Sequence, residues 1–147
     1  DNTNMSIQMD GKMTYADNGL SDEVQPYYWL LNATNYIKSS VSALTARTGQ
    51  SIFNQRQSTS GYDGVAGTNT DYSPDVNVPF SFASRHGSTF INGAHEGTLL
   101  TANTTPTILP DLSATDLNLG YNFMGTIRQF RMWSEDLTDA GITEAST

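Results

Sequence analysis

The sequence contains no cysteine, which excludes disulfide staples, thiolate nucleophiles and zinc thiolate sites. Small secreted eukaryotic domains commonly carry a disulfide, so the absence points to a bacterial or viral source. Cations are scarce as well. Seven Lys and Arg oppose fifteen Asp and Glu, for a formal net charge of −8. A surface of that sign repels phosphate backbones and anionic bilayers, which argues against nucleic acid and membranes as partners. Its plainest role is solubility. No apolar run approaches transmembrane length, so no membrane insertion is expected, and no signal peptide is evident. The chain opens on Asp1 rather than Met, as expected of a processed product or a module of a larger structural protein.

What is present is the material of strands and turns. Thr, Ser and Asn make up about a third of the chain, and Thr favours strands while Asn and Ser favour turns. Aromatic and branched apolar residues are spread along the whole length, so the chain can bury a core and is not disordered. At 147 residues, it suits one domain, 1–147, with two packed sheets.

Turn signals recur at short spacing: Asp10-Gly11, Asn18-Gly19, Thr48-Gly49, Asp63-Gly64 and Asn92-Gly93. Asp10-Gly11 lies between Ile7/Met9 and Met13/Tyr15, which reads as a two-residue hairpin. In residues 27–47, Ile37, Val41 and Leu44 fall at helical spacing. The Asn, Ser, Thr and Tyr around them favour two strands instead, with a further strand over 51–57. Residues 61–77 form the least regular stretch and read as a long loop. From Val78 the alternation sharpens: Val78, Phe80 and Phe82 share one face against Ser81, Ala83 and Arg85. Short strands are expected over 97–102 and 105–109. Near the end, Ile127, Phe130 and Met132 break strict alternation, and a β-bulge between 127 and 130 would put all three on the core side. Residues 137–142 form at most a turn of helix, with Thr138 as its N-cap.

Two stretches resemble a known family. One is the hairpin 78–93, with Arg85-His86-Gly87-Ser88-Thr89-Phe90-Ile91-Asn92-Gly93. The other is the closing region with Leu119-Gly120, Gly125-Thr126-Ile127, Phe130-Arg131-Met132-Trp133 and Leu137-Thr138. Over about the last seventy residues the chain resembles concanavalin A-like lectin/glucanase domains, the laminin-G-like jelly rolls, and in wording the modules of tailed-phage virion proteins. The resemblance implies an all-β antiparallel jelly-roll sandwich. That fold hosts lectins, hydrolases and pure interaction modules, so function must be argued from a site.

Retaining glucanases on such a fold place two carboxylates about 5 Å apart. The nearest cluster here, Glu135-Asp136-Leu137-Thr138-Asp139, lacks that spacing and suits a helix start. Neither a metal-binding helix pattern nor a nucleophile elbow is present. Sugars are gripped by aromatic faces and planar polar groups. Tyr62, Asp63 and Tyr72 offer that set in the irregular stretch, with Arg85 and His86 in support; equally, the two tyrosines could anchor the loop to the sandwich. Arg85 and His86 read otherwise as residues that turn the strand and bond at the surface. Tyr27-Tyr28-Trp29 and Trp133 lie in strands and are set aside as ligand residues, since about half such rings face the core. Asp71, Asp75 and Asn77 are oxygen donors at a spacing calcium could use, although loop Asp residues ordinarily form turns.

The expectation is therefore a non-catalytic recognition module of a phage virion surface protein that binds bacterial surface glycan and is carried in many copies. The alternatives are a decoration, cement or tail module that binds only protein, a glycoside hydrolase working through Glu135 and Asp136, and a surface protein of a bacterium.

Overall fold

The computed structural model describes residues 3–16, 23–58 and 63–147. Among these residues, ten strands form two antiparallel five-stranded sheets. The first sheet has the order β10-β1-β6-β7-β8, from β1 (Asn4–Tyr15), β6 (Asp75–Gly87), β7 (Ile91–His95), β8 (Thr98–Leu99) and β10 (Met124–Trp133). The second has the order β5-β4-β3-β2-β9, from β2 (Glu23–Asn32), β3 (Asn35–Ser42), β4 (Ser51–Gln57), β5 (Asp63–Ala66) and β9 (Leu117–Tyr121). One helix, α1 (Thr138–Ala145), packs on the outside of the first sheet against Ala83 and Ala94 through Ile142. This is the expected jelly-roll sandwich.

Period two explains most strands. In β1 the odd positions Met5, Ile7, Met9, Met13 and Tyr15 are buried in the core, while Ser6, Gln8, Asp10 and Lys12 take the other side. Gly11 continues the odd series. Asp10-Gly11 is therefore not a hairpin but the middle of one long strand. The glycine is there because the Thr126 carbonyl of β10 occupies the space of a Cβ. The ladder slips at this point: Asp10 faces Gln129 and Gly11 faces Ile127, leaving Arg128 as the extra residue of a bulge. That is the expected bulge, and it turns Ile127, Phe130 and Met132 to the side of Gly11, Met9 and Ile7. Because β10 is an edge strand, Ile127 and Met132 nevertheless stay exposed.

Residues 27–47 supply the expected strands, joined at Asn32, whose Oδ1 accepts from the Thr34 N–H, the Thr34 hydroxyl and Asn35. A short 3-10 turn, Thr45–Arg47, follows. Several expectations fail. The stretch 61–77 is not one loop, since it contains β5 and the start of β6. Asp63-Gly64 and Asn92-Gly93 lie inside strands; Gly93 is needed because the Phe53 ring of the opposite sheet rests on it. Residues 97–102 yield only two strand residues and 105–109 none. Asn18-Gly19 lies outside the described residues. The closing helix has eight residues, and Asp136 Oδ1, not Thr138, accepts the Thr138 N–H at its start.

The core runs between the sheets. Phe82 of β6 meets Phe53 of β4 edge to face at 5.5 Å, and Tyr72 and Phe80 complete the cluster. A polar chain also crosses the interior. The Tyr27 hydroxyl is 2.6 Å from Ser84 Oγ, which is 3.0 Å from His86 Nε2, and His86 Nδ1 is 3.3 Å from Gln55 Oε1. Gln55 spends its amide N–H groups on the carbonyls of Gly87 and Thr107. Its oxygen can then only accept, so the His86 proton sits on Nδ1. Burial pushes the His86 pKa down to about 3, and the ring is neutral.

Candidate functional site

Among the described residues, those singled out in the sequence do not converge. Tyr62 lies outside the described residues. Tyr72 is only 4 % exposed. Its ring packs on Phe82, its hydroxyl donates to Glu96, and its carbonyl accepts from the Tyr15 hydroxyl. Burial, then the Glu96 carboxylate, push its phenol well up. It is a core anchor and presents no ring face to a ligand. Asp63, at the start of β5, accepts from the backbone and hydroxyl of Thr107. His86 is fully enclosed, because its two ring nitrogens find partners on both sheets. Neither it nor Arg85 turns the chain; both lie within β6.

Arg85 points to the outer side of the first sheet. Its guanidinium donates to Asp139 at 2.7 Å and Asp136 at 2.6 Å, and lies 3.9 Å from the Phe90 ring centroid. Burial works against the charged Asp139 carboxyl, but Asn92 and Arg85 hold it below the usual carboxylate range. Asp136 is thus committed to Arg85 and the helix start. These groups fasten α1 to the sheet.

The calcium candidates are likewise separate. Asp71 Oδ1 accepts from the backbone and hydroxyl of Thr68, and Oδ2 from those of Ser51, with His95 Nε2 at 3.4 Å. Asp75 bonds the Val76 N–H, and the Asn77 N–H donates to Thr14. Among the described residues, no three of His, Asp and Glu gather as a metal ion would need.

The outer face of the second sheet is different. Tyr28 and Leu30 on β2 stand opposite Lys38 and Tyr36 on β3, so all four share a side, while Tyr27 and Ile37, at alternate positions, point into the core. Asn118 of β9 faces Tyr28. Gly120 takes φ 83°, the left-handed region glycine favours, and the Tyr121 ring that follows lies edge-on to Tyr28 at 5.7 Å. Gln25, Tyr28, Leu30, Tyr36, Lys38 and Tyr121 line a depression of about 380 Å³. Lys38 Nζ is 2.6 Å from Glu23 Oε2 and 5.8 Å from the Tyr36 ring centroid. The Gln25 amide donates to the same carboxylate oxygen.

This arrangement offers flat apolar rings edged by an ammonium, a carboxylate and an amide. Rings of this kind stack on the C–H face of a sugar, and the polar rim exchanges hydrogen bonds with its hydroxyls. Tyr28, set aside in the sequence because it lies in a strand, stands on this outward face. The signal that could have found it is parity: once Tyr27 and Ile37 are buried, Tyr28, Tyr36 and Lys38 must face outward together.

No sequence-family model matches the chain, and no curated protein sequence matches it. Solved structures do resemble it. A leech intramolecular trans-sialidase complexed with 2,7-anhydro-Neu5Ac aligns with a TM-score of 0.75 at 16% identity, over 99% of this chain and 23% of that one. The chain thus spans under a quarter of that enzyme's length. The Ruminococcus gnavus IT-sialidase CBM40 bound to α2,6 sialyllactose aligns at 0.72 and 11% identity, over 99% of this chain and 84% of that one. The binding domain of botulinum neurotoxin DC in complex with SialylT aligns at 0.70 and 13% identity, over 97% and 35%. At these identities the likeness establishes the lectin-like sandwich fold.

Proposed function

We propose that the chain is a non-catalytic glycan-recognition module whose site is the outer face of the second sheet. The observation that carries the reading is the grouping of Tyr28, Tyr36 and Tyr121 with the Lys38–Glu23 pair around one open depression. Support also comes from the neighbours: a carbohydrate-binding module with sialyllactose and a toxin binding domain with SialylT share this fold. Catalysis through Glu135 and Asp136 is disfavoured, because Asp136 is committed to Arg85 and the helix start.

The wider setting follows from the sequence resemblance in 85–93 and the closing strand: a tailed-phage virion surface, with bacterial surface polysaccharide as partner. One shallow site binds weakly, and many copies on a particle would supply avidity. The test is a multivalent preparation of the chain on an array of bacterial envelope glycans and sialylated oligosaccharides. Binding that disappears in Tyr28→Ala/Tyr36→Ala, with the fold intact, supports the reading. Absence of binding to every glycan counts against it.

The protein-binding alternative draws on one observation, the exposed apolar residues Met124, Ile127 and Met132 along the β10 edge. It predicts that Met124→Lys/Met132→Lys abolishes incorporation into an assembled particle while leaving glycan binding unchanged.

A further inference from the structure

The opposite side of the sandwich carries a second feature. Of the seven cations, Lys38 and Arg85 are paired with carboxylates elsewhere; Lys12, Arg131 and Arg128, the last paired with Asp10, lie on the outer side of β1 and β10. There the flank of α1 and the edge of the sheet bound two adjoining depressions of about 390 and 410 Å³, both lined by Arg128 and Thr147. Lys12 stands in one, Arg131 and the Trp133 indole in the other.

The carboxylates in this groove are mostly turned to protein donors. Asp10 takes Arg128 Nε at 2.7 Å and the Gln8 amide at 2.9 Å, and Glu96 takes the Ser81 N–H and the Tyr72 hydroxyl. Glu144 remains exposed. Three cations and three carboxylates thus balance across the groove, but among the described residues Lys12 and Arg131 have no carboxylate partner, whereas Arg128 is held by Asp10. With the Gln129 amide turned to satisfy both groups, its oxygen accepts from Arg131 Nε at 2.7 Å and Nη2 at 2.5 Å, which holds the guanidinium in place. Directly across the ladder from Arg131 is Gln8, 2 % exposed, whose Oε1 has no partner. A buried acceptor without a donor is costly, and a ligand hydroxyl would relieve it.

We infer that this groove is a second binding site, for an acidic polysaccharide of the uronic-acid type. A uronate carries the partners these side chains lack: a carboxylate for Arg131 and Lys12, a hydroxyl donor for Gln8, and a pyranose face for Trp133. Length fits too, since adjoining depressions that share Arg128 suit an extended chain better than a lone anion. The inference is independent of the tyrosine face, which lies on the other sheet.

The test is calorimetric titration of the whole chain with tetragalacturonate, at low and at physiological salt, beside the same oligomer with its carboxyl groups reduced. Expected are saturable binding that weakens with salt, binding about tenfold weaker in Arg131→Gln and weaker again in Arg131→Gln/Lys12→Gln, and no binding of the reduced oligomer. Equal binding of the reduced oligomer, an unchanged affinity in the double variant, or no binding by the native chain would overturn it. Should the variants fold poorly, NMR of the native chain decides: shifts at the Trp133 indole and Arg131 support the site, and shifts confined to Tyr28, Tyr36 and Tyr121 overturn it.

Discussion

On the outer side of the first sheet, α1 lies across Ala83 and Ala94, and Arg85 grips Asp136 and Asp139 to keep it there. On the outer side of the second sheet the equivalent positions carry Tyr28, Tyr36 and Tyr121 around an open depression. Small residues under a helix and large rings without one come from the same alternation of strand positions. The difference separates structural polar groups from available ones. Arg85 is conspicuous in the sequence and is spent on holding the helix, whereas the tyrosines fasten nothing across the layers.

The comparison presumes a common interior, and the largest effect should come from breaking it. Phe82→Ala removes the ring at the centre of the aromatic cluster and should cost about 3–5 kcal/mol in denaturant unfolding, abolishing binding on either face together. Acid comes next. His86 has a folded pKa of about 3 against the ordinary 6.5. Above the ordinary value neither state is protonated; below it the unfolded chain takes up a proton that the folded chain refuses. Stability from this group is therefore full above the ordinary value and lost as pH falls towards the folded one, at about 1.4 kcal/mol per pH unit. Unfolding measured across that window should show the slope in the native chain and a flatter limb in His86→Gln.

Arg85→Ala tests the covered face alone. It leaves Asp136 and Asp139 without their cation and should cost about 2 kcal/mol, with earlier loss of helix protection in hydrogen exchange and glycan affinity at the tyrosines unchanged. The smallest effect on stability belongs to the open face. Tyr28→Ala/Tyr36→Ala should shift unfolding by less than about 1 kcal/mol while removing glycan binding measured on the array. A large loss of stability instead would make those rings part of the frame and erase the contrast between the faces.

How far the sequence could be read follows the same physics. The strands of 27–47 were legible from residue propensity against a helical spacing, and the face of Phe80 and Phe82 and the bulge between Ile127 and Phe130 from periodicity, which reports which side chains share a face. What periodicity leaves open is which face is covered, and by what. His86 reads as a surface donor until Gln55 and Ser84 are known to flank it in the interior. Asp10-Gly11 and Asn92-Gly93 read as turns because local chemistry cannot reveal the Thr126 carbonyl or the Phe53 ring above the glycine. The tyrosine site draws on β2, β3 and β9, with Tyr28 and Tyr121 far apart in the chain, and only the folded order of strands brings them together.

The placement of β1 has a kinetic consequence. Ser6 faces Arg85 on one flank and Trp133 on the other, so an early-made strand must wait for one of the last. The second sheet differs, for β2 to β5 form a meander between neighbours along the chain. Pairings of such long sequence separation slow folding into the millisecond-to-second range. Until β10 emerges, β1 shows an open edge that another chain could occupy. A ribosome-bound or truncated chain ending before Met124 should therefore self-associate through β1, whereas the chain that includes β10 closes that edge itself.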